Sequence, residues 1–335
     1  MHRKSSALLL IILLWIFTPQ PVWGVKKLAQ TGFKWLSIPT GARATAMGYA
    51  FSPIDREVTA GFWNPAGLND LTGTHFSASY LEWLAGITHS AIAGTYDLGD
   101  LGVLGVNMIY VDYGSFQGTR RADNSAGYED TESFSPAAYM VGVSYGRRIS
   151  SRFSFGGTLK YCREDLGSAY VSTSTDSIAP ATVDNILSIP AFDFGTLFYT
   201  GFHDLRLGMT LQNFSQEKEY IDESFPLPLT FRFGLAMDVL NFLDLNDGHS
   251  LTCAVELVHP RDYTERIHLG IEYWFQNVLA LRSGYKSNYD LEDFSFGLGL
   301  KPNLGGLGLQ FDYAYTALDN FDGIHIITLG INLDE

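Results

Sequence analysis

Charged residues are scarce in this sequence, and signatures of catalysis are missing from it. Only 17% of its 335 residues are charged, and the formal net charge is -14. The histidines beyond the first residues show no metal-ligand spacing, and the chain contains neither a GxSxG elbow nor a phosphate-binding loop. We therefore predict no enzyme, no cofactor and no metal site. The negative charge also argues against nucleic acid as a partner.

Cysteine is nearly absent, with only Cys162 and Cys253 in the chain. Because side chains alternate between the two faces of a strand, the surrounding patterns place Cys162 with the polar set and Cys253 with the apolar set. A disulfide needs closely spaced side chains that point toward each other. We expect both thiols to be unpaired.

Long hydrophobic runs are limited to one at the N-terminus. It covers Ala7 to Phe17, follows Arg3 and Lys4, and precedes a site of small residues near Gly24. This order is typical of a secretory signal peptide over residues 1–24. No later stretch reaches the roughly 18 to 20 apolar residues that a membrane-spanning helix requires. An exported chain of this kind spans a membrane only with strands.

Glycine, aromatic residues and short alternating segments are abundant. The chain has 34 glycines, and 14% of it is aromatic. From residue 74 onward, fourteen segments of about ten residues alternate between apolar and polar residues, as in a membrane β-barrel. They cover roughly 74–83, 88–97, 101–112, 136–148, 152–163, 190–200, 203–213, 228–239, 249–259, 264–275, 278–287, 293–301, 305–316 and 324–333. We predict an all-β fold, a transmembrane antiparallel barrel of about fourteen strands over residues 74–335.

Alternation alone does not tell a lipid-facing row from the core-facing row of a soluble β-sandwich. The apolar row is the larger one, as with Phe231, Phe233 and Leu235, and the other row mixes glycine with charges of both signs. Such a row suits a narrow polar lumen, where opposite charges pair. The charged residues predicted to face the lumen are Lys160, Arg206, Arg232, Glu256, Arg266, His268, Glu272, Arg282 and Asp312.

The connections between segments alternate in length, apart from a longer eighth one. Short turns on one side and long loops on the other are typical of outer-membrane barrels, with the long loops outside the cell. Three long loops are predicted, at 114–135, 164–189 and 214–227. The first carries mixed charges, and it is either a partner-binding surface or a solvated loop. Its candidate contact residues are Arg120, Arg121, Asp123 and Glu129.

Residues 25–73 precede the first predicted strand and have a different composition. Residues 41–50 are mostly small, which lets a backbone pack closely against a wall. Further on, WNPAGL places Asn64 and Pro65 where a helix cap and a first helical residue are favoured. We predict that this stretch is a plug with short helices, enclosed by the barrel.

The spacing of GARATAMGYAFSPID, followed by NPAGL, resembles the N-terminal signature of the PorV/PorQ family, which belongs with the FadL-like outer-membrane proteins. The chain departs from that pattern at Tyr49, where a second glycine is usual. The resemblance implies a fourteen-stranded barrel with an N-terminal segment in its lumen. The motif residues that match are Gly41, Arg43, Ala44, Met47, Gly48, Ala50, Asp55, Trp63, Asn64, Pro65, Ala66 and Gly67.

Two functions follow from the resemblance. One is that of an accessory protein of type IX secretion, which binds the C-terminal domains of exported proteins or other secretion components through its loops. The alternative is a FadL-like transporter of hydrophobic small molecules. Both place the protein in the outer membrane of a Gram-negative bacterium, in contact with its lipid.

Overall fold

Fourteen antiparallel strands close into a barrel, as predicted from the alternating segments. The computed structural model describes residues 30–333 except 172–180, 220–222, 244–247 and 303–306, so the predicted signal peptide lies outside the described residues. Around the barrel the order is β1-β18-β17-β16-β15-β14-β13-β12-β9-β8-β7-β6-β3-β2. The first and last strands pair, from His75 with Asn332 to Glu82 with His325, and this pairing closes the wall.

The barrel strands are β1 Thr74–Glu82, β2 Thr88–Asp97, β3 Val103–Asp112, β6 Ala137–Ser150, β7 Phe153–Val171, β8 Ala181–Tyr199, β9 Arg206–Phe214, β12 Thr230–Asp238, β13 His249–Pro260, β14 Arg266–Phe275, β15 Leu279–Lys286, β16 Glu292–Leu300, β17 Gly308–Leu318 and β18 Ile324–Asn332. Two small sheets lie outside the barrel wall: β4 Phe116–Arg121 with β5 Tyr128–Phe134, and β10 Lys218–Glu219 with β11 Ser224–Phe225. Two α-helices, α1 Ala42–Ala46 and α2 Val239–Phe242, and five 3-10 helices, Lys34–Ser37, Val58–Phe62, Pro65–Leu68, Leu84–Gly86 and Gly99–Leu101, complete the described elements.

The outward face of the wall is apolar. On β14, Ile267, Leu269 and Ile271 are 40–49% exposed, whereas the alternating residues His268 and Glu272 are at most 1% exposed. The same alternation continues on the other strands. A closed barrel with such a face suits a lipid bilayer, and the chain is an outer-membrane barrel of many spans. Among the described residues, no helix is long and apolar enough to cross a membrane.

The two ends of the barrel differ. We call the end of the barrel at which β1 begins, with Thr74, the inner rim. It carries short turns such as 276–278. At the opposite end, the outer rim, the chain between β3 and β6 extends into the β4–β5 hairpin. Following the usual asymmetry of these barrels, we assign the outer rim to the cell surface.

The prediction of a long loop at 164–189 was wrong, because most of that stretch belongs to strands. β7 continues to Val171 and β8 begins at Ala181, and the two strands pair across a bulge between Asp165 and Ser168. β6 pairs with β7 only as far as Asp165. The β7–β8 ribbon therefore extends past its neighbouring strand β6 at the outer rim.

The partner-loop candidates lie on the β4–β5 hairpin. Arg120 forms an ion pair with Glu129 across the two strands, and both side chains are close to half exposed. Arg121 and Asp123 are exposed. Two of the six charged residues of this loop are thus paired with each other within the hairpin. The two cysteines are both free; Cys162 is buried and Cys253 is half-buried.

Candidate functional site in the barrel lumen

The N-terminal segment, residues 31–72, runs through the barrel from the outer rim to the inner rim. At the outer rim Thr31 and Lys34 both donate hydrogen bonds to Asp262, over 2.7 and 2.8 Å. Helix α1 lies against β15 to β18, and the 3-10 helix Pro65–Leu68 lies against β6, β7 and β8. These strands are on different sides of the barrel, so the segment crosses its interior. All twelve motif residues are enclosed, with Arg43 half-buried and the other eleven buried.

Glycines of the wall receive the backbone of this segment. A Cβ at Gly284 would lie 2.0 Å from the nitrogen of Gly48, and one at Gly156 would lie 2.3 Å from the carbonyl carbon of Pro65. No real side chain tolerates such distances. An added Cβ would also lie within 3 Å of backbone or side-chain atoms of the segment at further wall glycines: Gly146, Gly195, Gly208, Gly234, Gly270 and Gly297. The abundance of glycine on the inward face is therefore explained by the segment that it contacts.

Tyr49, the departure from the family motif, adopts a backbone conformation that favours glycine. Its φ is 65°, in the left-handed region. The side chain has specific contacts: its hydroxyl donates a 2.6 Å hydrogen bond to Glu292, and the Lys286 ammonium lies 4.0 Å from its ring centroid. These interactions offset the backbone strain and connect the segment to β15 and β16.

Asn64 and Pro65 begin the 3-10 helix Pro65–Leu68, as the sequence predicts. The Asn64 side chain accepts a hydrogen bond from the nitrogen of Ala66 and donates to the carbonyl oxygens of Ser52 and Thr196. It is fully buried. The cap thus also joins two parts of the segment and attaches both to β8.

Arg43 is the centre of a buried charge network. Its guanidinium contacts Glu272 over 2.6 Å and Glu57 over 2.7 Å. Glu272 in turn accepts from Arg282, which reaches Asp312 over 2.6 Å. The predicted lumen residues Glu272, Arg282 and Asp312 thus form one network that includes the segment.

The other predicted lumen charges also lie inside the barrel. Arg232 pairs with Glu256 over 2.7 Å, and Glu256 also accepts hydrogen bonds from the backbone nitrogens of Phe51 and Ser52. Lys160 pairs with Asp193 over 2.7 Å. The remaining members occupy separate places: Arg206 donates to the carbonyl of Pro53, His268 bonds to Tyr289, and Arg266 stacks on the Tyr289 ring.

Two carboxylates of the segment link its packing to pH. Burial works against ionisation of Asp55, but Arg206, Arg56 and the Tyr199 hydroxyl hold its pKa below the ordinary 3.8. Burial likewise opposes ionisation of Glu57, and Arg43 holds its pKa below the ordinary 4.5. Because both pKa values are lowered in the packed state, the two carboxylates stabilise packing at any pH above their ordinary pKa values. That stabilisation is lost as the pH falls through the lowered pKa values.

We expect acid to loosen the segment. In planar bilayers, conductance should stay low between pH 7 and pH 5 and rise only at pH values below the ordinary pKa values of 3.8 and 4.5, because Asp55 and Glu57 become protonated there. The double variant Asp55→Asn, Glu57→Gln should conduct at pH 7 as the unaltered protein does in acid. A conductance that is the same at every pH would show that these carboxylates do not hold the segment.

A cavity of about 100 Å³ opens near the outer rim, between the segment and the wall. On the segment side it is lined by Lys34, Ile38 and Trp63, among others, and on the wall side by residues that include Ile109 and Met140. A buried apolar cluster adjoins it, formed by Phe33, Trp35, Ile109, Val111, Met140, Ile189 and Leu227 with smaller neighbours. Below the cavity, residues 64–68 separate it from a second depression at the inner rim, which residues 69–72 line.

Several residues of this cavity were not found from the sequence. Asp262, Tyr263 and Tyr289 lie in short turns at the outer rim, far along the chain from Lys34 and Trp63. No spacing or motif connects them with the N-terminal stretch. Among the described residues, no group of three or more His, Cys, Asp or Glu side chains is arranged to hold a metal ion.

No protein-family model matches the chain, and no curated protein matches it. Solved structures are similar to it in fold. The Ralstonia pickettii toluene transporter TbuX is 13% identical with a TM-score of 0.56, over 88% of this chain and 98% of that one. The Pseudomonas putida toluene transporter TodX is 12% identical, with a TM-score of 0.55 over 87% and 96% of the two chains.

A Pseudomonas aeruginosa FadL homologue is 10% identical with a TM-score of 0.53, over 89% of this chain and 99% of that one. At such identities the likeness shows the fold alone, which is that of the FadL-like fourteen-stranded barrels. The resemblance to the PorV/PorQ family stays a prediction.

Proposed function

We propose that this protein admits small hydrophobic molecules across the outer membrane through its lumen, the alternative that the sequence left open. The observation that carries the proposal is the outer-rim cavity beside a buried apolar cluster, closed below by the N-terminal segment. Concave and partly apolar sites of this kind are typical for small ligands. The proposal assigns no catalytic step to the protein.

The fold neighbours support the same class of function. Two of them are described as toluene transporters, and CymD, which is 12% identical to this chain, is described as a monoaromatic hydrocarbon channel. In the proposed route a molecule enters at the outer rim and pauses in the cavity. It passes inward when residues 64–68 move away from the wall.

Entry of toluene into cells tests the proposal. A Gram-negative host without its own FadL-type channel would carry a cytoplasmic toluene-oxidising enzyme as reporter. At low toluene concentration, cells with this protein should oxidise toluene severalfold faster than cells with an empty vector, and entry of a hydrophilic dye should be unchanged. Equal oxidation rates in the two cell lines would refute the proposal.

The type IX accessory function is the second candidate, and it has one argument, the resemblance of residues 41–67 to the PorV/PorQ signature. None of the fold comparisons supports it. The β4–β5 hairpin is then the expected partner surface, because it extends from the outer rim with Arg121 and Asp123 exposed. Deleting residues 118–132 should leave a heat-resistant barrel in detergent gels and abolish co-purification of exported proteins. Unchanged co-purification would exclude the hairpin as that surface.

A further inference from the structure

The charges around the outer-rim cavity do not balance. Four cationic side chains line it, Lys34, Lys160, Arg232 and Arg266, against the three carboxylates Asp193, Asp262 and Glu292. Lys34 pairs with Asp262, Lys160 with Asp193, and Arg232 with Glu256, which lies in the lumen beside the cavity. Glu292 is held by Lys286. Within the described part of the chain, Arg266 is the cavity cation that has no carboxylate partner.

Arg266 is held in place by aromatic rings. Its guanidinium carbon lies 3.8 Å from the ring centroid of Tyr289 and 4.7 Å from that of Tyr263. Its Nε is buried and donates no hydrogen bond within the described residues. A buried donor without an acceptor is costly, and a guanidinium without a counter-charge more so. The position is therefore suited to an anion, and the two rings hold the guanidinium in place.

The surroundings of Arg266 restrict the anion. Val258, its cross-strand neighbour, also lines the cavity, so an apolar body has a surface to contact beside the guanidinium. A dry cavity of about 150 Å³ accepts benzene. One of about 100 Å³ therefore has room for no more than a single ring or a short chain. A planar carboxylate matches the donor geometry of a guanidinium, which can bind both of its oxygens.

We propose that this cavity binds a compact organic acid, with the carboxylate on Arg266 and a single ring or short chain against Val258. The role of this site in uptake rests on the proposed function. The site adds small organic acids to the class of molecules that the barrel accepts. A long-chain acid does not fit the enclosed volume. A neutral ring lacks the ion pair.

Calorimetry on the purified full chain in lipid nanodiscs tests the proposal, with benzoate as the acid and benzamide as its neutral analogue of the same size. Benzoate should bind about tenfold or more tightly than benzamide, because a charge-assisted pair is formed only with the acid. In Arg266→Gln this difference should vanish, and in Arg266→Lys part of it should return. Heat-modifiable migration in detergent gels checks that each variant is folded.

Arg261→Gln is the matched control. Arg261 is an exposed arginine at the same rim, close in sequence to Arg266, and it pairs with Glu217 instead of lining the cavity. The control should keep the preference for benzoate. Equal binding of benzoate and benzamide to the unaltered protein would overturn the proposal. So would an equal loss of the benzoate preference in Arg266→Gln and Arg261→Gln, or tighter binding of palmitate than of benzoate. Toluene entry into cells is independent of these results, so failure of the acid site and failure of hydrocarbon uptake are distinguishable.

Discussion

Replacing Gly284 with alanine is expected to displace the N-terminal segment from the barrel wall. The new Cβ would lie 2.0 Å from the nitrogen and 2.4 Å from the Cα of Gly48, and both of these are backbone atoms that no side-chain rotation can move away. Overpacking of this kind costs about 1–3 kcal/mol. The segment should leave its place against β15, and conductance in planar bilayers should rise severalfold above that of the unaltered protein.

Gly330→Ala is the control for this variant. Gly330 is also a wall glycine, but the nearest atom to an added Cβ is the Cβ of Gln310 at 3.4 Å, an ordinary contact. Both substitutions add one methyl group to a strand of the barrel. If the two variants conduct alike, close packing of the segment on the wall does not limit the current.

Loss of Arg43 is expected to have the second large effect. In Arg43→Ala, Glu57 loses its ion pair with the segment's own arginine, while Glu272 keeps Arg282. Breaking a buried ion pair by removing one partner costs about 3–5 kcal/mol. Amide hydrogen exchange in residues 42–68 should therefore become about a hundredfold faster or more, because the segment opens more often. Mass spectrometry of peptides from this region measures the change.

Two further variants test whether the unpaired Glu57 carboxylate causes the faster exchange in Arg43→Ala. Arg43→Met combined with Glu57→Gln removes the unpaired carboxylate, and it should recover part of the protection, since a neutral pair costs less than a lone charge. Arg120→Ala breaks the exposed pair with Glu129 and should change exchange in residues 42–68 by less than threefold, because an exposed pair contributes little and this one lies in a separate hairpin outside the barrel wall. Exchange in Arg43→Ala within the same threefold range would contradict the account.

The barrel could be predicted from the sequence because each membrane-spanning strand must present apolar side chains to the lipid on one face and polar or small side chains to the lumen on the other. This requirement imposes strict alternation, and it fixes strand bounds closely: the predicted segment 88–97 coincides with β2, and 264–275 differs from β14 by two residues. The requirement ends at the membrane surface. Beyond Glu164 the β7–β8 ribbon faces water on its free side, so Asp165 and Ser168 carry no alternating signal, and a strand was taken for a loop.

The candidate site could be predicted only in part. The small residues and the Asn64–Pro65 pair indicated an enclosed segment, since close packing and helix caps are local requirements. The cavity depends on contacts between distant parts of the chain. Lys34 and Asp262 are 228 positions apart, and Arg266 meets the rings of Tyr263 and Tyr289 only once the barrel has closed. No local pattern records which of several inward cations lacks a carboxylate.

The central claim is that passage through the lumen requires the N-terminal segment to move, and a reversible tether tests it most directly. The nitrogen of Ala42 lies 2.9 Å from the hydroxyl of Thr328 on β18, so cysteines at these two positions can join the segment to the wall. The pair would be made in a chain with Cys162→Ala and Cys253→Ser. Toluene oxidation in reporter cells should fall to the vector level while the disulfide is closed and recover when dithiothreitol opens it. Unchanged oxidation with the disulfide closed would contradict the account.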